Sequence, residues 1–77
     1  GQGYATEAAR AVVEWAISLP NIYRVWATCD VENLASVRIL EKCGLAFEGR
    51  LRCYSVRPNI SAIPRDALMY ARVRKIG

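Results

Sequence analysis

Residues 33–45 read NLASVRILEKCGL, a stretch that predicts a short helix ending at a glycine. Asn33 is a good N-cap candidate because its side-chain oxygen can accept a hydrogen bond from a free N–H of the first turn. Gly44 suits the left-handed position just past a helix end. Apolar residues at helical spacing predict the inward face: Leu34, Val37, Leu40 and Ile39. We therefore expect a polar turn over residues 30–33 and a helix to about Cys43.

The segments on either side of this helix predict a second helix and three strands. Residues 4–19 carry apolar side chains at helical spacing, with Glu7 placed to complement the dipole in the first turn. Residues 23–29 alternate as a strand does, and residues 47–54 predict another strand with a possible bulge at Gly49.

The last part of the chain predicts a loop and a final strand. Pro58 and Pro64 bracket the loop, and residues 68–74 alternate again. The order helix, strand, helix, strand, strand predicts one α/β unit over residues 1–77. We expect a mixed sheet in which the last two strands are antiparallel.

Composition narrows the classes of protein. The 77 residues carry a net charge of +4 and no histidine, and no apolar run approaches the ~18 residues of a membrane span. No secretory signal pattern is visible. Cys29, Cys43 and Cys53 lie in apolar or periodic segments, so we interpret them as reduced core thiols of a cytoplasmic protein. Without histidine or a Cys-x-x-Cys pair, no metal site is expected.

The bulkiest and the basic side chains have structural interpretations. Trp15 and Trp26 are interpreted as packing groups. The basic residues of the last third are interpreted as solvated strand faces in preference to a nucleic-acid patch. They are Arg50, Arg52, Arg57, Arg65, Arg72, Arg74 and Lys75.

The first candidate site is the glycine-containing start of the first helix, Gly1, Gln2, Gly3, Tyr4 and Ala5. Glycines let the backbone approach a ligand, and the free amides of a first helical turn attract an anion such as a pyrophosphate. A glycine-rich turn that only starts a helix is the alternative. The pattern is neither a Walker loop nor a full dinucleotide fingerprint.

The second candidate site is the start of the second helix. Asn33 can cap the helix or donate to a cofactor amide, and Ser36 can bond to the previous turn or act as a weak proton donor. Arg38 and Lys42 on the same helix are candidates for a coenzyme phosphate, although a solvated helix face is the simpler interpretation.

These motifs together resemble the GCN5-related N-acetyltransferase superfamily. The GQGYATEA segment at residues 1–8 resembles the end of that family's pyrophosphate motif. Asn33-x-x-Ser36, then residues 41–45 (EKCGL) and Glu48-Gly49, resemble its following strand–helix–strand block. The tail, residues 58–72, is similar to the branch that acetylates ribosomal-protein N-termini. Leu45 stands where the family commonly has phenylalanine, a change that still fills the core.

The resemblance implies a coenzyme site and a mechanism. Backbone amides of Gln2, Gly3, Tyr4 and Ala5 would hold the pyrophosphate of acetyl-coenzyme A. The pantetheine arm would lie along the strand at residues 23–29, and Asn33 would contact it or the acetyl group.

An amine acceptor, such as a protein N-terminus or a small amine, would then attack the thioester directly. Ser36 is the candidate that protonates the leaving thiolate, because the position where many relatives have a tyrosine is Leu40. The resemblance also implies that this is the C-terminal portion of the domain, that the acceptor pocket and any general base belong to an absent N-terminal half, and that the chain alone is not competent.

Two other hypotheses remain at this stage. One is a non-catalytic basic module that binds RNA or a ribosomal surface, which would lose affinity steeply as salt rises. The other is an assembly fragment, because the strand at residues 23–29 would have an unpaired edge. On that basis we expect self-association, or pairing with a partner that completes the sheet.

Overall fold

The order of elements in the computed structural model, which describes residues 2–57 and 61–74, is the predicted one. Helix α1 spans Gln2–Ser18, strand β1 Arg24–Asp30, helix α2 Leu34–Lys42, strand β2 Ala46–Arg57 and strand β3 Ser61–Val73. Because α1 begins at Gln2, Glu7 lies beyond the first turn, which contains no acidic residue. The prediction that Glu7 complements the dipole there was wrong.

The three strands form one sheet in the order β1-β3-β2. The predicted antiparallel pairing of the last two strands is confirmed. Strand β1 also pairs antiparallel with β3, from Arg24 opposite Val73 to Asp30 opposite Ala67. Among the described strands no pair is parallel, so the parallel component expected of a mixed sheet does not occur there. Strand β1 is an edge of this described sheet, as expected for the strand at residues 23–29.

Strand β3 begins earlier than the sequence predicts and includes Pro64. The prediction that Pro64 closes a loop was therefore wrong, and Pro58 lies outside the described residues. The pairing with β1 ends at Ala67, so β2 is the described neighbour at the level of Pro64. A proline has no N–H to donate and is tolerated where one side of a strand is unpaired.

Strand β2 contains the predicted irregularity at Gly49 and two others that were not predicted. The register shifts first between Phe47 and Gly49, as a bulge requires, a second time between Leu51 and Ser55, and a third time between Ser55 and Arg57. Cys53 lies in this second irregularity with a φ of 49°, and its side chain is exposed. The prediction that Cys53 is a core thiol was wrong, because the shift removes it from the strand's alternation. Cys29 and Cys43 are buried, as predicted.

Both helices pack on one face of the sheet. The buried cluster consists of Val13, Cys43, Leu45 and Tyr70, with Ala27 and Leu40 among the partly buried residues against it. Leu45 fills the core as expected, with 4% of its surface exposed. Gly44, at φ 84°, occupies the predicted left-handed position that allows α2 to end there.

Three predicted packing residues are exposed instead. Trp15 is two residues from buried Val13, about 200° around α1, and is 64% exposed. Trp26 alternates with Val25, which packs on the core, so it lies on the face of β1 away from the helices and is 54% exposed. Leu34 is the first residue of α2, beyond the part of the helix that packs on the core, and is 63% exposed.

The arginines of the last third are mostly tied to other elements and are not simply solvated. Arg72 Nη1 lies 2.6 Å from Glu14 Oε1, which joins β3 to α1. Arg74 donates to the carbonyl oxygens of Ile17, Leu19 and Pro20, and its guanidinium lies over the ring of Tyr23. These bonds supply donors to carbonyl groups at the end of α1, of which the Leu19 carbonyl also accepts from the Ile22 N–H. The interpretation of these two arginines as solvated was wrong.

Candidate coenzyme site

The first turn of α1 presents its backbone to an open depression. Gly3, Tyr4 and Glu7 line this depression of about 320 Å³, and Tyr4 is 82% exposed. A Cβ atom built on Gly3 would meet nothing within 4 Å, so a ligand has free access to the backbone there. The first N–H groups of a helix have no partner within the helix and carry its positive dipole end. This turn can therefore accept an anion.

The predicted residues of this turn lie together. Gln2, Gly3, Tyr4 and Ala5 are consecutive helical residues of α1. Gly1 lies outside the described residues. The placement agrees with the predicted geometry for a pyrophosphate, while their contact with a coenzyme stays a prediction.

The start of α2 is held by a set of local hydrogen bonds. Asn33 caps the helix, because its Oδ1 accepts a bond of 3.1 Å from the backbone N–H of Ser36. Before it, Asp30 Oδ1 accepts from the N–H of Glu32 at 2.9 Å, and the Asp30 carbonyl accepts from the N–H of Asn33 at 2.9 Å. Hydrogen bonds therefore hold the backbone N–H groups of Glu32, Asn33 and Ser36 where the chain enters α2.

Because Oδ1 of Asn33 caps the helix, the amide nitrogen is the remaining polar atom of this side chain. No hydrogen bond of that nitrogen to another described residue is present, so it is the atom that could donate to a coenzyme carbonyl. The Ser36 side chain is half-buried, and its hydroxyl has no described partner. Leu40 is partly buried against the core and can supply no proton.

The two helices meet along a narrow crevice. It is lined by Thr6 of α1 and by Ala35, Arg38, Ile39 and Lys42 of α2. Thr6 is three residues after Gly3, and Ala35 lies between Asn33 and Ser36. The fold therefore brings the beginning of α1 alongside α2, and the two candidate sites of the sequence flank one surface.

A charged network next to the start of α2 was missed by sequence reasoning. Arg65 pairs with Asp30 in a bidentate manner, with Nε 2.7 Å from Oδ2 and Nη2 3.1 Å from Oδ1, and also lies 3.0 Å from Glu32. The hydrogen bonds that Arg65 donates to the Asp30 carboxylate raise the pKa of Arg65 above its usual range. The interpretation of Arg65 as a solvated charge was wrong. The pairing needs the β1–β3 register, which the sequence does not state.

A second pair extends this network into β2. Arg50 Nε lies 2.7 Å from Asp66 Oδ2, so Arg50 is not a simple solvated charge either. Asp66 Oδ1 accepts from the backbone N–H of Cys53 at 2.9 Å. That backbone bond and the Arg50 guanidinium hold the pKa of Asp66 below its usual range. Arg50 and Asp66 line an open depression of about 350 Å³ together with Val31, Glu32, Ile63, Pro64 and Arg65.

The fold and the two helix starts define the class of this protein. It is an α/β protein whose first helix offers an anion-accepting turn beside a capped second helix. No described helix is long and apolar enough to cross a membrane.

Comparison with family models then identifies the family. The model described as the acetyltransferase (GNAT) domain matches residues 1–46, and the chain belongs to that family. This confirms the resemblance found in the sequence.

The curated relatives include named N-acetyltransferases, and the chain spans less than a third of their length. It is 44% identical over 48 residues to the uncharacterized N-acetyltransferase YnaD of Bacillus subtilis (strain 168), covering 62% of this chain and 28% of YnaD. It is 33% identical over 51 residues to spermidine N(1)-acetyltransferase of Escherichia coli (strain K12), covering 66% of this chain and 27% of that enzyme.

Solved structures share the fold. RimL, a ribosomal L7/L12 alpha-N-protein acetyltransferase in complex with coenzyme A, superposes with a TM-score of 0.82 at 25% identity, over 95% of this chain and 40% of RimL. The fold is therefore part of an acetyltransferase fold, and a neighbour with that fold binds coenzyme A.

Proposed function

We propose that this chain forms the coenzyme-binding part of an N-acetyltransferase that transfers an acetyl group from acetyl-coenzyme A to a primary amine. The observation that carries the proposal is the open first turn of α1, with Gly3 unobstructed. The pyrophosphate of the coenzyme would accept hydrogen bonds from the amides of residues 2–5. Because the chain belongs to the acetyltransferase family, we take the anion at this turn to be the pyrophosphate of acetyl-coenzyme A.

The reaction is a direct displacement. The amine nitrogen attacks the carbonyl carbon of the thioester, the carbon–sulfur bond breaks, and the coenzyme leaves as a thiolate that takes up a proton. Asn33 would orient the pantetheine or acetyl end through its amide nitrogen. Ser36 is our candidate for the proton donor, because its hydroxyl has no other described partner and Leu40 offers none. The proton lost by the amine passes to solvent or to a base.

The acceptor is a primary amine in this proposal. The named relatives act on two different amines, spermidine and a ribosomal-protein N-terminus, so both classes are candidates. The family resemblance assigns the acceptor pocket and the general base to parts of the domain outside this chain. The decisive measurement on this chain is therefore coenzyme binding.

The test is a calorimetric titration of the chain with acetyl-coenzyme A, comparing Gly3→Trp with Gly3→Ala. A methyl group at Gly3 meets no atom of the chain within 4 Å, so Gly3→Ala should fold as the wild type does and should hinder the coenzyme far less than Gly3→Trp. The larger Gly3→Trp side chain should block the approach to the backbone and weaken binding about tenfold or more, while thermal unfolding reports whether the fold persists. Equal binding by Gly3→Trp, or no binding by the wild type, would contradict the proposal.

A second proposal concerns assembly, and it is supported by the position of β1 at the edge of the described sheet. Its outer edge has no described partner, and exposed Trp26 lies on the face away from the helices. Unpaired strand edges pair readily with other strands. We propose that the chain self-associates or completes its sheet with a partner strand. Light scattering that finds a monodisperse monomer at high concentration would refute self-association of the chain.

The alternative of an RNA-binding module finds less support. Arg50, Arg65, Arg72 and Arg74 are engaged in ion pairs or with backbone carbonyls, so they are not free to contact phosphates. A titration with a short RNA at two salt concentrations tests it directly, because binding to phosphates weakens steeply with salt.

A further inference from the structure

One depression in the described part of the chain contains a carboxylate to which the proposed reaction assigns no role. Glu32 lines the open depression of about 350 Å³ beside the start of α2. Its side chain is 79% exposed, and its Oε2 lies 3.0 Å from Arg65 Nη2. An ionised carboxylate has several acceptor sites, and an exposed one keeps most of them for a second cation. This depression can therefore take a cationic group.

The ion pairs around Arg65 leave an excess of negative charge in the depression. Arg65 donates to both oxygens of Asp30, with Nε 2.7 Å from Oδ2 and Nη2 3.1 Å from Oδ1. Glu32 is a second carboxylate on the same guanidinium, so two negative charges stand against one positive charge. Of the two acids, Asp30 has only 11% of its side chain exposed, so Glu32 is the one that a ligand can reach.

The other acid that lines the depression is already neutralised. Asp66 Oδ2 lies 2.7 Å from Arg50 Nε, and Arg52 adds positive charge near the same carboxylate. Asp66 is also less accessible than Glu32, with 21% of its side chain exposed. Among the described lining residues, Glu32 is therefore the one that offers a cation an unbalanced carboxylate.

Hydrogen bonds hold Glu32 in position before any ligand arrives. Its backbone N–H donates to Asp30 Oδ1 at 2.9 Å, and the N–H of Val31 donates to the Asp66 carbonyl at 3.3 Å, which ties this turn to β3. The contact with Arg65 then orients the side chain. Binding to a pre-organised group costs less conformational entropy than binding to a free surface side chain.

The rest of the lining suits a hydrocarbon chain. Val31, Ile63 and Pro64 form the apolar part of the depression, and Ile63 is 72% exposed. Methylene groups that cover such side chains remove apolar surface from water, whereas a peptide amide placed there would need hydrogen-bond partners. The lining as a whole therefore matches an aliphatic chain that ends in an ammonium group.

The depression starts beside the place proposed for the acetyl group. Glu32 directly precedes Asn33, which is proposed to orient the acetyl end of the coenzyme, and consecutive Cα atoms are about 3.8 Å apart. The amine that attacks the thioester must have lost its proton, whereas a nearby carboxylate stabilises the protonated form of an amine. An ammonium group held by Glu32 is therefore a second nitrogen of the acceptor and not the nucleophile.

We propose that Glu32 binds the second ammonium group of an aliphatic diamine acceptor, whose hydrocarbon chain lies against Val31, Ile63 and Pro64. The inference rests on the proposed function, because it needs the acetyl group beside Asn33. It narrows the two candidate classes of acceptor to the diamine, and it adds one wall to a pocket whose other parts the family resemblance assigns outside this chain. Since the Glu32 side chain is exposed, the contribution of this contact decreases as salt rises.

The test uses conjugates in which an acetyl bridge joins the sulfur of coenzyme A to the nitrogen of an amine. The putrescine conjugate carries a free ammonium group, and the butylamine conjugate has the same carbon chain without it. In calorimetric titrations at low ionic strength, the chain should bind the putrescine conjugate roughly two- to fivefold more tightly, as an exposed ion pair predicts. Glu32→Gln should abolish this preference and leave the affinity for the butylamine conjugate unchanged. The control Glu41→Gln removes an exposed carboxylate of α2 that does not line the depression, and it should retain the preference.

The outcomes separate this inference from the function beneath it. If the wild type binds the putrescine and butylamine conjugates equally, the role of Glu32 is overturned and the proposed function stands. If it binds neither conjugate, both fail. If Glu32→Gln keeps the preference, another group binds the ammonium and the assignment to Glu32 is overturned. A third conjugate, to the amino group of a trialanine amide, represents a protein N-terminus, and tighter binding of it than of the putrescine conjugate would overturn the diamine class.

Discussion

Substitution of Asn33 separates two roles that one side chain would perform. Its Oδ1 caps α2 by accepting from the Ser36 N–H, and its amide nitrogen is the group proposed to contact the coenzyme. Asn33→Ala removes both roles. Asn33→Asp retains an oxygen that can cap the helix, and adds a negative charge that the helix dipole favours, but it removes the amide donor.

The loss of stability expected for Asn33→Ala follows from the length of α2. The helix has 9 residues, which is too short to be stable alone, so it depends on its cap and on packing through Val37, Ile39 and Leu40. Loss of an N-cap costs about 1 kcal/mol, within a range of roughly 0.5–2 kcal/mol. For a domain of this size that corresponds to a decrease in melting temperature of about 4–8 °C.

Two assays on the same proteins report the two roles. Thermal unfolding followed by circular dichroism should show Asn33→Ala destabilised by this amount and Asn33→Asp near the wild type. Calorimetric titration with acetyl-coenzyme A should show weaker binding for both variants, with the comparison made well below the melting temperature of the weaker one.

Either of two results would refute this reasoning. If Asn33→Ala unfolds at the wild-type temperature, the cap contributes no stability and the hydrogen bond to Ser36 is incidental. If Asn33→Asp binds acetyl-coenzyme A as tightly as the wild type, the amide nitrogen does not contact the coenzyme. In the second case the role of Asn33 is capping alone.

Three further predictions concern the long-range polar contacts. Arg74→Met should lower the free energy of unfolding by about 1–2 kcal/mol, because it removes the hydrogen bonds that Arg74 donates to carbonyl groups at the end of α1, and denaturant titration measures this. Asp30→Asn and Arg65→Met should each destabilise the fold by about 2 kcal/mol, and a double-mutant cycle should give a favourable coupling between them. The pKa of Asp66 is lowered in the folded state, so its stabilisation is complete above the ordinary pKa of 3.8 and is lost as the pH falls towards the folded value. Asp66→Asn should therefore reduce the loss of stability on acidification below about pH 4, as denaturant titrations at several pH values would measure.

Each of these has a control or a contrary result. Arg52→Met removes an exposed arginine that makes no described bond to a carbonyl group, and should change the free energy of unfolding little, in contrast to Arg74→Met. Additive effects of the Asp30 and Arg65 variants would mean that their short contact carries no energy. An unchanged acid profile in Asp66→Asn would mean that the Cys53 N–H and Arg50 do not stabilise that carboxylate.

Local features were predicted well because their physical causes are local. The Asn33 cap acts within three residues, the left-handed turn at Gly44 depends on that residue's missing side chain, and the bulge at Gly49 lies within one strand. The anion-accepting turn at Gly3 is likewise a property of a helix start. Part of the candidate site could therefore be predicted from neighbouring residues alone.

Burial was predicted less well, because helical or strand periodicity does not say which face is covered. Trp15 and Trp26 are apolar residues in regular elements, yet both face away from the layer in which the helices meet the sheet. Cys53 lies in an apolar or periodic segment, which predicts a core residue. A register shift that depends on the partner strand turned it outward.

The sequence by itself determined the order of the elements, the cap and end of α2, and the family, since these depend on short-range spacing and on motifs read along the chain. The tertiary structure alone decided which charges meet. Asp30 and Arg65 are 35 residues apart and become a bidentate pair only because β3 lies next to β1 in a particular register. It also decided that most of the described arginine side chains are paired while Arg38 and Lys42 have no partner among the described residues, because a charge finds its partner through space.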